Sequence, residues 1–195
     1  MRIVAGRMRG RRLMVPKWTG LRPTSDGLRE TLFNVIADRV AGSRVLDAFA
    51  GTGALGLEAL SRGAASAVFV DNDRRATELI ANNVARCGVG EACAIIRADA
   101  SRADRLPAAS FDLVLADPPY EGIDTEQTIA ALGCVLAEGG LLVLEHARRT
   151  AITPRVGSLV CVRQIVSGDS ALALYERRPA ADEAAAAAPG TPDER

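Results

Sequence analysis

The sequence predicts an α/β fold: a mostly parallel, twisted sheet with helices on both faces and an antiparallel edge strand, preceded by a basic N-terminal β-hairpin. Three observations carry this. From residue 44 onward, short apolar runs alternate with segments whose apolar residues recur at helical spacing. The runs are apolar on both faces, as in strands covered by helices from both sides. A glycine-rich stretch, Gly51-Thr52-Gly53-Ala-Leu-Gly56, stands between the first run and the first helix after it.

In chain order, residues 2–5 and 11–15 are short extended segments around 6–10 and form the expected hairpin. Pro16, Gly20 and Pro23 keep the chain irregular up to Thr24. Leu28, Leu32, Val35 and Ile36 then mark a helix, with Ser25 or Asp26 as its cap. Strands are expected at 44–47, 66–71, 92–97, 111–116, 140–145, 158–165 and 171–175, and helices at 54–62, from Asp73 through Val84, and at 125–136. Gly168-Asp169 makes the turn between the last two strands, which form the antiparallel edge. Residues 180–195 are alanine-rich and acidic, and a disordered tail is expected there. The chain thus divides into a head (1–24), a catalytic-type α/β domain (25–179) and a tail (180–195).

The chain has 195 residues, 48% of them hydrophobic, enough for one domain with a substantial core. Lys+Arg and Asp+Glu both number 24, but the charges are segregated. Arg2, Arg7, Arg9, Arg11, Arg12, Lys17 and Arg22 all precede the first acidic residue, Asp26. Such a head suits phosphate contacts, which position a nucleic acid without reading its sequence. Cys87, Cys93, Cys134 and Cys161 show no C-x-x-C pairing, and His146 is the lone histidine. Neither a metal site nor a disulfide framework is expected, and the cysteines read as reduced, mostly buried thiols. The N-terminus lacks the apolar region of a signal peptide, and no apolar run spans a bilayer. A cytoplasmic protein without membrane contact, and a monomer, is expected.

The glycine stretch follows Asp47-Ala-Phe49-Ala at a strand end, and Asp71 ends the next strand. Gly51, Gly53 and Gly56 satisfy G-x-G-x-x-G, so a dinucleotide such as NAD competes here. Two details favour a cationic ligand. Asp47 precedes Gly51 by a short loop, instead of the strand running straight into the first glycine. A carboxylate there also repels a pyrophosphate but suits the amino group of a methionine moiety. Asp71 can accept ribose hydroxyls in either case. Asp99, after the third strand, could accept an adenine amino group beside the Ala100 N–H, although loop aspartates more often form turns. The candidate cofactor-binding set is therefore Asp47, Phe49, Gly51, Thr52, Gly53, Asp71, Asn72, Asp99 and Ala100.

The apolar run 111–116 ends in Asp117-Pro118-Pro119-Tyr120. In open α/β sheets, ligands bind outside the carboxyl ends of the strands, so this tetrapeptide should face the glycine loop. An exocyclic base amine is a poor nucleophile because its lone pair is delocalised into the ring. The Asp117 side chain and the Pro118 carbonyl can each accept an N–H, aim the nitrogen, and favour the positive charge that develops on it. Pro118 and Pro119 fix φ. Tyr120 offers a surface on which an extruded base can stack. These four are the candidate catalytic residues. The plainer reading is a Pro-Pro turn with a capping aspartate.

Taken together, Arg2-Ile-Val-Ala-Gly6, Arg9-Gly-Arg-Arg-Leu13, Leu21-Arg-Pro-Thr24, Arg29-Glu-Thr-Leu-Phe-Asn34, the stretch from Asp47 to Leu60 and Asp117-Pro-Pro-Tyr120 resemble the bacterial 16S ribosomal RNA guanine-N2 methyltransferases of the RsmD type. The resemblance implies a class I (Rossmann-like) methyltransferase fold, S-adenosylmethionine as donor, and a guanine of 16S rRNA as target, in a 30S subunit or assembly intermediate. The head arginines Arg7, Arg9, Arg11 and Arg12, with Lys17 and Arg22, become the candidate RNA contacts. Trp18 could stack on a nucleotide or pack under the hairpin. Arg22, Thr24 and Arg29 could line the cleft, or be solvated or capping. Adenine-N6 methylation fits the tetrapeptide equally well, and a non-catalytic RNA-binding assembly factor would keep the same fold. Cytosine-C5 chemistry is disfavoured, because Pro119 and not a cysteine follows Pro118.

Overall fold

The computed structural model describes residues 1–16, 26–106, 110–119 and 122–178. Its eight strands are β1 (Arg44–Ala48), β2 (Ser66–Asp71), β3 (Cys93–Arg97), β4 (Phe111–Ala116), β5 (Leu136–Ala147), β6 (Arg155–Val156), β7 (Leu159–Ser167) and β8 (Ser170–Arg177). They form one sheet in the order β3-β2-β1-β4-β5-β8-β7-β6. The first five strands pair in parallel, and β8, β7 and β6 continue antiparallel from β5. This is the predicted fold class. Strand order reverses between β1 and β4, which opens a crevice at their carboxyl ends.

Four helices cover the sheet: α1 (Asp26–Val35), α2 (Ala54–Ser61), α3 (Arg74–Cys87) and α4 (Thr125–Cys134). Their starts follow local chemistry. The Asp73 side chain accepts the Arg75 N–H at the head of α3, and Asp124 accepts the Gln127 N–H at the head of α4. One core cluster joins Phe33, Leu57, Phe69, Ile80 and Leu115 beneath α1–α3, and a second joins Leu46, Val114, Leu132 and Tyr175 beneath α4. Strand alternation supplies both, because successive side chains point to opposite faces.

The structure departs from expectation at four places. The helix expected at 125–136 stops at Cys134, because Leu136 instead pairs with Phe111 and begins β5. Helical periodicity continues through this point, but a strand partner is available and wins. β6 was not foreseen; it is two residues long. Of the four cysteines, all free, Cys87 alone is buried and Cys134 is exposed, so the thiols are not mostly buried.

The fourth departure is the head. Instead of two extended strands there is a single bridge, Arg2 to Arg12, with bonds from Ile3 N–H to the Arg11 carbonyl (3.0 Å) and from Gly10 N–H to the Ile3 carbonyl (2.9 Å). The backbone polar groups go to α2 instead. Glu58 accepts the Val4 and Ala5 N–H groups at 2.7 and 3.0 Å, and Ser61 Oγ accepts the Met8 N–H at 2.9 Å. A Cβ on Gly6 would lie 1.9 Å from the Ser61 carbonyl oxygen, so only glycine allows this approach. Ile3, Met8 and Leu13 join the first core cluster, which makes the head continuous with the domain. The boundary residues 17–25 and the tail 179–195 lie outside the described residues. Among the described residues, no helix is long and apolar enough to cross a membrane.

Candidate active site

The loop from β1 to α2 turns sharply: Phe49 has φ 59°, Gly51 54° and Gly53 75°. A positive φ is costly for a bulky residue such as Phe49 and persists only where the surroundings enforce it. They do so through two carboxylates, Asp47 and Asp71, and the amide of Asn83. Asp47, at the end of β1, is 1% exposed and its Oδ2 accepts the Gly56 N–H at 2.8 Å. A Cβ on Gly56 would lie 2.5 Å from Phe69 Cε1 and 3.1 Å from Asp47 Oδ2, so the third glycine serves close packing of α2 on the sheet. Asp71 Oδ2 accepts the Gly51 N–H at 2.9 Å, and its Oδ1 accepts the Asp73 N–H at 2.9 Å.

Asp47 therefore sits differently from expectation. Its carboxylate lies inside, bracing the start of α2, and does not stand open to a ligand. Burial raises its pKa well above the usual carboxylate value; the Gly56 N–H opposes this, and the negative charges of Asp117 and Asp71 add to it. The strand registers place the ends of β1, β2 and β4 around one locus, since Ala48 is level with Val70 and with Ala116, which Asp71 and Asp117 directly follow. The Asp117 N–H also points to the Ala48 carbonyl at 3.4 Å. Asp117 is half-buried, Pro118 buried and Pro119 exposed; Tyr120 lies outside the described residues.

Beside this locus, Asn72 is exposed and its carbonyl accepts Arg97 Nε at 3.2 Å. Asp99 is exposed, and its Oδ1 accepts both the N–H and the hydroxyl of Ser101, at 3.0 and 2.7 Å. That is a turn-capping geometry, with Ala100 buried behind it. Thr52 is buried; its hydroxyl points to Met1 Sδ at 3.4 Å, and its carbonyl accepts Asn83 Nδ2 at 2.9 Å.

Asn83 escaped the sequence reading. Fully buried on α3, it also accepts the Met14 N–H at 2.7 Å and donates to the Met14 carbonyl at 3.1 Å, so one amide joins head and glycine loop. Its signal was an asparagine within the apolar stripe of Ile80, Val84 and Cys87. Glu58 was missed similarly, although a glutamate in the otherwise apolar run of α2 invites a buried partner. Its partners are Arg62, with Nε 2.9 Å from Glu58 Oε1, and Arg29, whose side chain is fully buried, with Nε 3.7 Å from Glu58 Oε2 and Nη2 2.8 Å from Asp26 Oδ1. Arg29 accordingly does not line the cleft.

Of the head cations, Arg7, Arg9 and Arg12 are exposed. Arg11 has a structural bond set: its Nη1 donates to the Arg86 and Cys87 carbonyls at 3.0 and 2.6 Å, at the end of α3. Lys17, Trp18, Arg22 and Thr24 lie outside the described residues. His146 is buried, with Nδ1 3.0 Å from the Ala147 carbonyl oxygen, and burial lowers its pKa. By alternation it continues the face of Leu142 and Leu144, opposite Glu145. A polar cavity of about 290 Å³ lined by Ser43, Asp112 and Gly140 lies at the other, amino-terminal end of the strands, away from this locus.

The donor set discriminates between cofactors. Asp71 and Asp117 at the crevice, with Asp47 buried behind them, gain from a cation and resist a pyrophosphate. S-adenosylmethionine carries a sulfonium and an amino group, so the residues present fit it; NAD does not share this match.

Comparison with known proteins agrees. The family model described as conserved hypothetical protein 95 matches residues 1–176. Ribosomal RNA small subunit methyltransferase D of Escherichia coli (strain K12) is 37% identical over 179 residues, covering 91% of this chain and 90% of that protein. The protein of the same name from Haemophilus influenzae is 38% identical over 186 residues, covering 90% and 93%. Among solved structures, yhhF of Escherichia coli, described as a methyltransferase, superposes with a TM-score of 0.78 at 36% identity, covering 91% of this chain and 98% of that one. With its sheet order, glycine loop and Asp117-Pro118-Pro119 at the reversal point, this chain belongs to the conserved hypothetical protein 95 family and is a methyltransferase of the RsmD type.

Proposed function

We propose that this chain methylates the exocyclic N2 amine of a guanine in 16S rRNA, using S-adenosylmethionine, on a 30S subunit or assembly intermediate. The observation that carries the reading is the shared locus of Asp47, Asp71 and Asp117 at the β1–β4 reversal. When bound, S-adenosylmethionine supplies an electrophilic methyl group on a sulfonium. Gly51, Thr52 and Gly53 provide the close backbone approach, with Phe49 held in the same turn. Asp47 holds this loop through Gly56. Asp71 and Asn72 offer acceptors to a ribose, and Asp99 with Ala100 to an adenine edge.

On the opposite wall, the Asp117 carboxylate and the Pro118 carbonyl accept the two N–H bonds of the target amine. That orients the nitrogen lone pair and stabilises the charge it acquires, and the extra proton is then lost from nitrogen after transfer. Pro119 stiffens the turn, and Tyr120 is assigned to stacking. Arg7, Arg9 and Arg12, with Lys17 and Arg22, hold phosphates of the substrate RNA, while Arg11 is engaged with the end of α3. The E. coli and H. influenzae relatives are named for small-subunit rRNA, which supports that substrate.

The test is purified protein with methyl-labelled donor and 30S subunits, followed by nucleoside analysis. N2-methylguanine is expected; label on adenine N6, on cytosine, or nowhere overturns the assignment. Calorimetry should show binding of S-adenosylmethionine and not of NAD.

A further inference from the structure

We propose that the turn after β5, carrying Arg148 and Arg149, is a second phosphate-binding edge of the substrate cleft, gripping the ribose-phosphate chain on the side of the target nucleotide away from the head. The inference rests on the reading of the cleft as a nucleic-acid methylation site, and extends it to residues outside the motifs.

Position is the first support. β5 lies beside β4 with Leu144 opposite Ala116, so both strands reach the same end of the sheet. Asp117 follows Ala116 directly, and Glu145 is the residue of β5 level with it; β5 then runs two residues further to Ala147 before the turn that carries Arg148. At about 3.3 Å per residue, that turn begins roughly 7 Å beyond Asp117 and one strand over. That is the scale of one or two nucleotides.

Rigidity is the second. The Arg148 N–H donates to the Asp169 carbonyl at 2.8 Å, which pins the turn to the β7–β8 hairpin. The Thr150 N–H donates to the Ala147 carbonyl at 2.8 Å and closes the turn itself. Two exposed guanidinium groups therefore stand on a fixed backbone. Among the described residues neither makes an ion pair, and Asp169 beside them meets Arg148 through its backbone carbonyl, with no ion pair from its carboxylate to either arginine.

Charge is the third. The strand ends around the reaction centre carry Asp47, Asp71, Asp117 and Glu145, a field that repels an incoming polyanion. Of the head arginines, Arg7 and Arg11 sit by the last residues of α2 and α3, toward the amino ends of the strands, and do not stand beside it. Extruding a base from an RNA requires the backbone next to it to be held. Arg148 and Arg149 supply such a grip, beside the tetrapeptide.

The experiment measures binding of R148A/R149A and R148K/R149K to purified 30S subunits and to 16S rRNA over a range of salt. The alanine pair should bind about tenfold more weakly, with the slope of log K against log salt shallower by about 1.4–1.8, two phosphate contacts' worth. The lysine pair should return to within about threefold of wild type, because it restores charge without the guanidinium fork. RNA KM should rise in the alanine pair with kcat and S-adenosylmethionine affinity unchanged. Wild-type affinity and slope in the alanine pair, with the wild-type protein active, overturn the inference. A wild-type protein that neither binds these RNAs nor transfers methyl to them defeats the underlying reading, and this one with it.

Discussion

The Asp71 carboxylate bonds the Gly51 N–H at 2.9 Å, tying the end of β2 to the loop that follows β1. Its other oxygen holds the Asp73 N–H at 2.9 Å, so a single side chain sets both the glycine loop and the cap of α3. An amide cannot accept at both ends. Asp71→Asn should therefore leave one N–H facing an NH2 group, a loss of about 1–3 kcal/mol. Calorimetry should show S-adenosylmethionine affinity down by tenfold or more; unchanged affinity would remove Asp71 from the cofactor site.

Asp47 predicts an unusual pH dependence. Its folded-state pKa is raised by burial, above the value of 3.8 it has when unfolded. The folded state then binds its proton more tightly than the unfolded state does. The resulting destabilisation is absent below 3.8, grows as pH rises through the folded pKa, and is complete above it. Asp47→Asn keeps an acceptor for Gly56 and removes the buried charge. It should melt at a higher temperature than wild type at pH 7, and the gain should shrink as pH is lowered towards 4. Cofactor affinity should fall in the same variant. A melting difference that does not vary with pH would contradict the assigned cause.

Asp117→Ala tests the clamp. With the side chain half-buried and outside both core clusters, the variant should fold. Methyl transfer should drop about 10²–10³-fold, the scale of one lost electrostatic stabiliser. Cofactor binding, read by calorimetry, should persist. Retained turnover would refute the catalytic role.

The head arginines should separate into two groups. R7A/R9A/R12A should weaken 30S binding and reduce the salt slope by about 2.1–2.7, with an unchanged melting temperature. Arg11→Ala removes two bonds to carbonyls at the end of α3 and should cost about 1 kcal/mol of stability. Chemical denaturation distinguishes them. Equal effects of all four positions on stability would mean that the head folds as one unit with no free cations.

Much of the fold was legible because its signals are local. The apolar runs at 66–71 and 111–116 became β2 and β4 with those bounds, and the helix expected to open at Asp73 begins at Arg74 with Asp73 as its cap. Errors fell where a distant partner decides. Leu136 left the helical pattern because Phe111 was available for pairing, and the head gave up strand pairing because Glu58 and Ser61 satisfied its N–H groups. Within the site, Asp47, Asp71 and Asp117 were visible as types at strand ends. Asn83 and Arg29 were not, since burial of a polar side chain depends on which elements close over it.

Residue order alone thus determined the alternation of strands and helices, the glycine loop, the tetrapeptide and the segregation of positive charge, all of which rest on spacing within a few residues. Tertiary structure decided that Asp47 faces inward, that Arg11 secures α3, and that Asn83 links head to loop. The reason is that desolvation and hydrogen-bond satisfaction are properties of groups brought together from far apart in the chain, and no local pattern encodes which of them will meet.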